Sequence, residues 1–227
     1  MNRIEVIQKL IDKKNGRTYL EVGVCSGGTF LQIRIPRKIG IDIKFSFSGK
    51  KSILKRYFKN FKSNIFNKYY QMKSDDFFIK HNRLFKNSKI DIAFIDGLHE
   101  YNQVIRDVNN CLNFLSKNGV IVLHDCNPDS MEHAYPPEKR ITNVWFGDTW
   151  KAIVYFRSYR QDLNVFVLDS DCGLGVITRG KPDKMLMYSM DSIKDLSYND
   201  LEKDRVEMLN LKSVEYFEGN FLKEQFK

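Results

Sequence analysis

The sequence has few of the residues that mark a special class of protein. In 227 residues there are four cysteines, five prolines, four histidines and two tryptophans. Cys25, Cys111, Cys126 and Cys172 lie far apart and form no C-x-x-C pair. That spacing excludes a zinc knuckle or a disulfide framework and leaves free thiols as the expectation. No apolar run approaches the roughly 18 residues that a membrane-spanning helix needs. In the opening stretch, charges interrupt Ile4, Val6, Ile7, Leu10 and Ile11, unlike the apolar core of a signal peptide. A cytoplasmic location is therefore expected. We find no internal repeat and no low-complexity linker.

What is present fits a globular α/β chain. Hydrophobic residues make up 42% and charged residues 29%, which excludes a mostly disordered chain. The length suits one medium domain with a sizeable core and would be cramped for two. The reading is a domain over 1–182, with 1–17 as its N-terminal helix, and a helical extension over 183–227 packed on it. Charge is the one anomaly. From Arg34 to Lys89 there are 16 Lys/Arg against 3 Asp, a local +13 within a chain of +9, so the remainder carries −4. Such a band can face nucleic acid, an anionic lipid surface or a phosphorylated substrate. Biased usage produces the same excess, since 25 of the 37 cations are lysine. Phe45, Phe47, Phe58, Phe61 and Phe66 interleave with the lysines. We read them as amphipathic packing rather than a stacking platform for bases.

Hydrophobic periodicity organises the chain. The opening segment has helical spacing and stops at Asn15-Gly16. Thr18–Val22 reads as a strand running into Gly23-Val-Cys-Ser-Gly-Gly28, followed by a short helix from Thr29 that ends before Pro36. Ile39–Ile43 is a second strand, 45–68 contains a helix, Tyr69–Met72 is a third strand and Asp76–Phe85 a short helix. Ile90–Asp96 and Val120–Leu123 are apolar runs of the kind parallel strands show. Between them, Tyr101–Leu115 is an amphipathic helix ending at Asn118-Gly119. This alternation implies right-handed βαβ units and a parallel sheet. A long polar loop spans Asp125–Asp148 and a helix Thr149–Arg160. Val165–Leu168 and Leu174–Thr178 form a hairpin around Asp171-Cys-Gly173, and Ser197-x-x-Asp200 is a capping box.

The Gly-rich turn lies between a strand and a segment read as a helix, the context in which backbone amides approach a nucleotide. Asp42 follows Gly23 by 19 residues at the end of the next strand, where a carboxylate can accept both ribose hydroxyls of an adenosine group. A dinucleotide fingerprint would carry glycine where Cys25 stands. Glu21 would also repel a pyrophosphate, whereas it favours the ammonium and sulfonium of S-adenosylmethionine. The methyl donor is thus preferred over NAD, and a nicotinamide oxidoreductase is the most distant alternative.

As an ordered set, Tyr19-Leu-Glu-Val-Gly-Val-Cys-Ser-Gly-Gly28, Gly40-Ile-Asp-Ile43, Ser74-Asp-Asp-Phe-Phe78, Phe94-Ile-Asp-Gly-Leu-His-Glu-Tyr101 and Gly119-Val-Ile-Val-Leu-His-Asp-Cys126 resemble the class I S-adenosylmethionine-dependent methyltransferases. Within that class they look like the bacterial branch related to macrocin-type and catechol-type O-methyltransferases. The match covers roughly residues 18–180. The resemblance implies a Rossmann-like three-layer sandwich with a seven-stranded, mostly parallel sheet carrying one antiparallel strand. It also implies that Glu21, Gly23 and Gly27 line the methionine part, Asp42 takes the ribose, and Ser74 or Asp75 lies beside adenine. Cys25 stands where the family has glycine, and Asp96 belongs to the same cofactor site.

Asp96, His124 and Asp125 end adjoining strands at the carboxyl edge of the sheet, and His99 follows Asp96 by three residues. Such a cluster can deprotonate a hydroxyl, with His124 or His99 as the base, or hold a divalent metal that lowers the hydroxyl's pKa. In metal-dependent relatives the ligands are acids at the positions of Asp96 and of His124-Asp125, which makes Asp96 and Asp125 the candidates for Mg2+. Here His-Asp-Cys replaces Asp-Asp or Asp-Asn, and imidazole and thiol are poor ligands for that hard ion. His133, Tyr135, Arg140, Trp145 and Trp150 are candidates for the acceptor pocket. The expected reaction is O-methylation of a small polar acceptor such as a sugar or glycan precursor, phosphorylated or nucleotide-linked variants included. An RNA methyltransferase and a catalytically silent cofactor-binding protein are the alternatives. The sequence leaves a homo-oligomer open.

Overall fold

The computed structural model describes residues 1–47 and 51–224. Lys50 of the basic band and the last three residues of the C-terminal extension lie outside them. Strand β1 (Thr18–Val22) is buried at all five positions, and β4 (Ile90–Ile95) and the end of β5 (Leu115–Leu123) are nearly so. Strands buried on both faces belong inside a parallel sheet covered by helices. Together with β2 (Arg37–Asp42), β3 (Lys68–Gln71), β6 (Leu163–Leu168), β7 (Leu174–Arg179) and β8 (Leu211–Lys212), they form one sheet in the order β3-β2-β1-β4-β5-β7-β6-β8. Strand β7 runs antiparallel to both β5 and β6, and the other pairs are parallel. This is the Rossmann-like layering expected, with one strand more: β8 joins the edge of β6. Two residues are too short to carry a readable period.

Alternation along the strands feeds two cores. Leu20 and Val22 face one, and Tyr19 faces the other. The first is covered by α4 (Ser74–His81), α5 (Tyr101–Phe114), α6 (Thr149–Tyr159), α7 (Met190–Asp195) and α8 (Tyr198–Leu209). The second is covered by α1 (Arg3–Lys14), residues 24–35, α2 (Lys51–Lys59) and helical turns near the C-terminus that bury Phe217 and Phe221. Helix α3 (Phe61–Asn64) follows α2 after a break at Asn60. Helix α1 stops at Asn15 in the left-handed region, φ 54°, and both arms of the Ser197–Asp200 capping box form.

Two local expectations fail for physical reasons. The helix expected from Thr29 is absent, and residues 25–32 are a run of turns. Cys25 and Gly27, in the turn just before Thr29, both have positive φ. The carbonyls that a helix would have paired are taken by a side chain instead. Lys38, 1% exposed on β2, donates from Nζ to Phe30 O (2.7 Å), Ile33 O (3.1 Å) and Asn64 Oδ1. Burial pushes this ammonium down to a pKa of about 7. Lys38 is therefore not part of a surface band. The packing expected of the phenylalanines holds for Phe45 and Phe47, which lie against the second core. It fails for Phe58, Phe61 and Phe66, which are 65%, 45% and 74% exposed.

Candidate active site

The carboxyl ends of β1, β2 and β4 open into a cleft of about 460 Å³, a size typical of small-molecule sites. Gly23, Cys25, Asp42, Ser74, Asp75 and Asp96 line it, as the sequence predicted. Gly23 has φ +89°, and a Cβ there would come within 2.0 Å of Asp96 O. Only glycine allows the ends of β1 and β4 to meet this closely. Cys25 adopts the left-handed conformation usual for glycine (φ 48°) and donates its N–H to Asp42 Oδ2 at 2.6 Å. Lys44 N donates to Asp42 Oδ1 at 2.8 Å. The carboxylate is thus fixed at the rim, with lone pairs left to accept further hydroxyls.

Glu21 and Gly27 stand outside the cleft wall. Glu21 is 2% exposed and accepts the Tyr19 hydroxyl at 2.5 Å; burial raises its pKa to about 8. A neutral, buried acid cannot supply the charge that the sequence argument assigned to it. Four carboxylates, Asp42, Asp75, Asp96 and Asp107, line the cleft against one cation, Lys73. The preference for a cationic ligand therefore survives, carried by other residues. Asp107 and Gln103 were missed in the sequence. Ser74 Oγ and Gln103 Nε2 donate to Asp107 Oδ1 at 2.5 and 3.0 Å, and burial lifts Asp107 to about 6. The available signal was an acid among the apolar positions Val104, Val108 and Cys111 of α5. Asp75 pairs with Arg106 (3.3 Å) and accepts from Asn110 (3.0 Å).

At the cleft edge, the two imidazoles and two carboxylates close into a ring. His99 Nε2 lies 3.2 Å from Asp96 Oδ1, and His99 Nδ1 lies 3.2 Å from Asp125 Oδ2. His124 Nδ1 lies 2.8 Å from Asp125 Oδ1 and 3.5 Å from Asp96 Oδ1. Asp125 leaves its strand with φ 57°, a left-handed turn that costs energy in a non-glycine residue and is found at functional sites. Burial opposes charge on Asp96, but hydrogen bonds from both imidazoles hold its carboxyl well below the usual range. Burial lowers and the carboxylates raise both histidines, with a net rise for His99 and a rise to about 11 for His124.

The outer side of His124 was not foreseen. Its Nε2 faces Arg3 Nη1 and lies 3.6 Å from Asp171 Oδ1. Arg3 is held in turn by Asp171, which accepts its backbone N–H at 2.6 Å. Both nitrogens of His124 are therefore occupied within the protein. His99 is more open, with 15% of its side chain exposed against 7% for His124.

The cluster does not suit magnesium. Asp96, His124 and Asp125 come within metal-ligand reach of one another, but imidazole separates the acids and already neutralises them, whereas Mg2+ demands a shell of oxygens. The Asp96 and Asp125 metal assignment that the resemblance implied is not supported by this donor set.

The long loop covers His99. Trp145 stacks on the His99 ring with centroids 5.2 Å apart, and Arg140 lies 5.1 Å from the Trp145 ring. Gly147, φ +65°, passes so close that a Cβ would sit 2.0 Å from His99 O. Tyr135 O accepts from Trp145 Nε1 at 2.7 Å, and His133 pairs with Asp129 at 2.6 Å. Trp150 is not in this layer: it is 1% exposed within the first core.

Residues 20–126, just under half of the chain, match the family model of a methyltransferase domain. These residues carry a methyltransferase domain. No curated protein matches the sequence. Among solved structures, this methyltransferase is similar to the O-methyltransferase TomG of Streptomyces achromogenes, solved in complex with SAM. The TM-score is 0.56 at 14% identity, over 78% of this chain and 79% of that one. A putative O-methyltransferase of Klebsiella pneumoniae gives 0.55 at 10% identity, over 78% and 80%. The Bacillus cereus O-methyltransferase, solved with SAH, gives 0.51 at 12%, over 77% and 78%. At these identities the likeness is one of fold.

Proposed function

We propose that the protein moves a methyl group from S-adenosylmethionine to a hydroxyl of a small polar acceptor, such as a sugar or glycan precursor, in the cytoplasm. The observation that carries the reading is the Asp96–His99–Asp125–His124 ring at the edge of an acid-lined cleft. The donor, when bound, supplies a methyl group made electrophilic by its sulfonium. Asp42 would accept from the ribose, Ser74 and Asp75 would flank the adenine, and Gly23, Cys25 and Asp96 would border the methionine portion. Acids lining this wall suit a ligand with sulfonium and ammonium charges.

His99 is the better of the two bases. The nitrogens of His124 are held by Asp125 at 2.8 Å and by Arg3, whereas the three contacts of His99, to Asp96, Asp125 and Trp145 O, are all 3.2 Å, and the one at Nε2 can give way to a hydroxyl. The proton would pass to His99 Nε2, and the imidazolium formed would lie between Asp96 and Asp125. His124, pinned by Asp125, Asp171 and Arg3, positions that pair. A general base placed this way contributes roughly 10²–10⁴ in rate. The loop carrying Trp145 and Gly147 excludes water and holds the acceptor in line, a contribution of up to roughly 7–11 kcal/mol in favourable cases.

The edge carries Asp96, Asp125 and Asp171, so a phosphorylated, nucleotide-linked or RNA acceptor has less support than an uncharged one. The division into a domain over 1–182 and an extension over 183–227 belongs to the same proposal. Calorimetry with S-adenosylhomocysteine tests the reading. Binding is expected, and no heat at millimolar ligand overturns it.

A further inference from the structure

We propose that the α2–α3 face is a docking surface for an anionic lipid bilayer. Leu54, Phe58, Phe61 and Ile65 recur at i, i+4, i+7 and i+11 along α2 and α3, and they are 60%, 65%, 45% and 47% exposed. Phe66 beside them is 74% exposed. The adjoining side of the same helices, about 100° round, is the packed one, with Ile53 and Asn64 buried. The Phe58 and Phe61 rings stack on each other, which joins the stripe across the break at Asn60.

Charge selects the partner. Lys51, Lys55, Lys59, Lys62 and Lys68 are exposed around the stripe, and the sequence holds no acid from 43 to 74. Among the described residues none of these cations is in an ion pair. A helix with Phe and Leu on one side and lysines flanking them is built to lie in a membrane interface, where buried apolar area and attraction to anionic headgroups add. Nucleic acid fits less well. Leu54 and Ile65 have no ring to stack on a base, and Phe58 and Phe61 are stacked on each other.

The test is flotation of the full chain with vesicles of phosphatidylcholine alone or mixed three to one with phosphatidylglycerol. Binding to the anionic vesicles is expected, weakening as salt rises above about 0.1 M. Each lysine near such a surface is worth about fivefold in affinity, so Lys51→Ala/Lys55→Ala/Lys59→Ala should lose about 100-fold. Leu54→Ser/Phe58→Ser/Phe61→Ser should lose at least about tenfold. Thermal melting checks that both variants fold. Three results overturn the proposal: no flotation with the anionic vesicles; a serine variant that floats like the wild type, as a simple polyanion site would; or a dimer in vesicle-free solution that the serine variant abolishes.

Discussion

Glu21→Gln separates a buried structural acid from a charged one. Glu21 is 2% exposed, and its carboxyl accepts the Tyr19 hydroxyl. Burial raises its pKa from 4.5 to about 8. The unfolded chain releases this proton near 4.5 and the folded one near 8. Between those values the unfolded state binds fewer protons, so stability falls as pH rises. One proton released over one pH unit is worth about 1.4 kcal/mol, so the full rise corresponds to at most about 5 kcal/mol. This contribution is complete below pH 4.5 and gone above pH 8. Glutamine keeps the shape and an acceptor for Tyr19 but cannot ionise. Urea denaturation of both proteins at pH 5, 6, 7 and 8 gives the comparison, and groups common to both largely cancel in the difference. The stability of the variant relative to wild type should grow by up to about 1.4 kcal/mol for each pH unit. Parallel curves, with a difference constant within about 0.5 kcal/mol, would refute the reasoning, because Glu21 would then be ionised in the fold.

His99→Gln should lower kcat by roughly 10²–10⁴ and leave S-adenosylhomocysteine affinity unchanged by calorimetry. Burial lowers the pKa of His99, but Asp96 and Asp125 reverse this to a net rise. The base works only unprotonated, so the wild-type rate should climb as pH rises beyond the usual imidazole range, and this limb should vanish in the variant. Chelation with EDTA should leave turnover intact, measured by transfer of a labelled methyl group, because the acids of the edge are already paired with imidazoles. Gly23→Ala should cost about 2–5 kcal/mol in urea denaturation. It combines a left-handed non-glycine residue with a Cβ driven to 2.0 Å from Asp96 O. Cofactor binding should fall with it.

The centre of the sheet was legible because β1, β4 and the end of β5 are buried on both faces and read as apolar runs. The turn at Gly23 and the acids at the ends of β2 and β4 were legible because a strand end is fixed once the strand is. The ring of Asp96, His99, Asp125 and His124 was anticipated as a cluster, since β4 and β5 are neighbours. Its outer partners were not, because Arg3 and Asp171 lie 168 positions apart in the chain and meet only through the closed topology. Residues 29–35 were misread for a local reason: Lys38, a few positions further on, takes the carbonyls of Phe30 and Ile33 that a helix would have used.

The exposed phenylalanines mark a limit of periodicity itself. Along α2, both Ile53/Tyr57 and Leu54/Phe58 repeat at helical spacing, so the pattern offers two apolar stripes about 100° apart. Burial selects the first, because Ile53 and Asn64 approach the sheet and Asn64 accepts from the ammonium of Lys38. The second stripe is then left facing out with the lysines. A helix that is apolar on one side only would have needed no partner. One with two such stripes has packed the first against its own sheet, and the lysines beside the second point to an anionic surface outside the molecule.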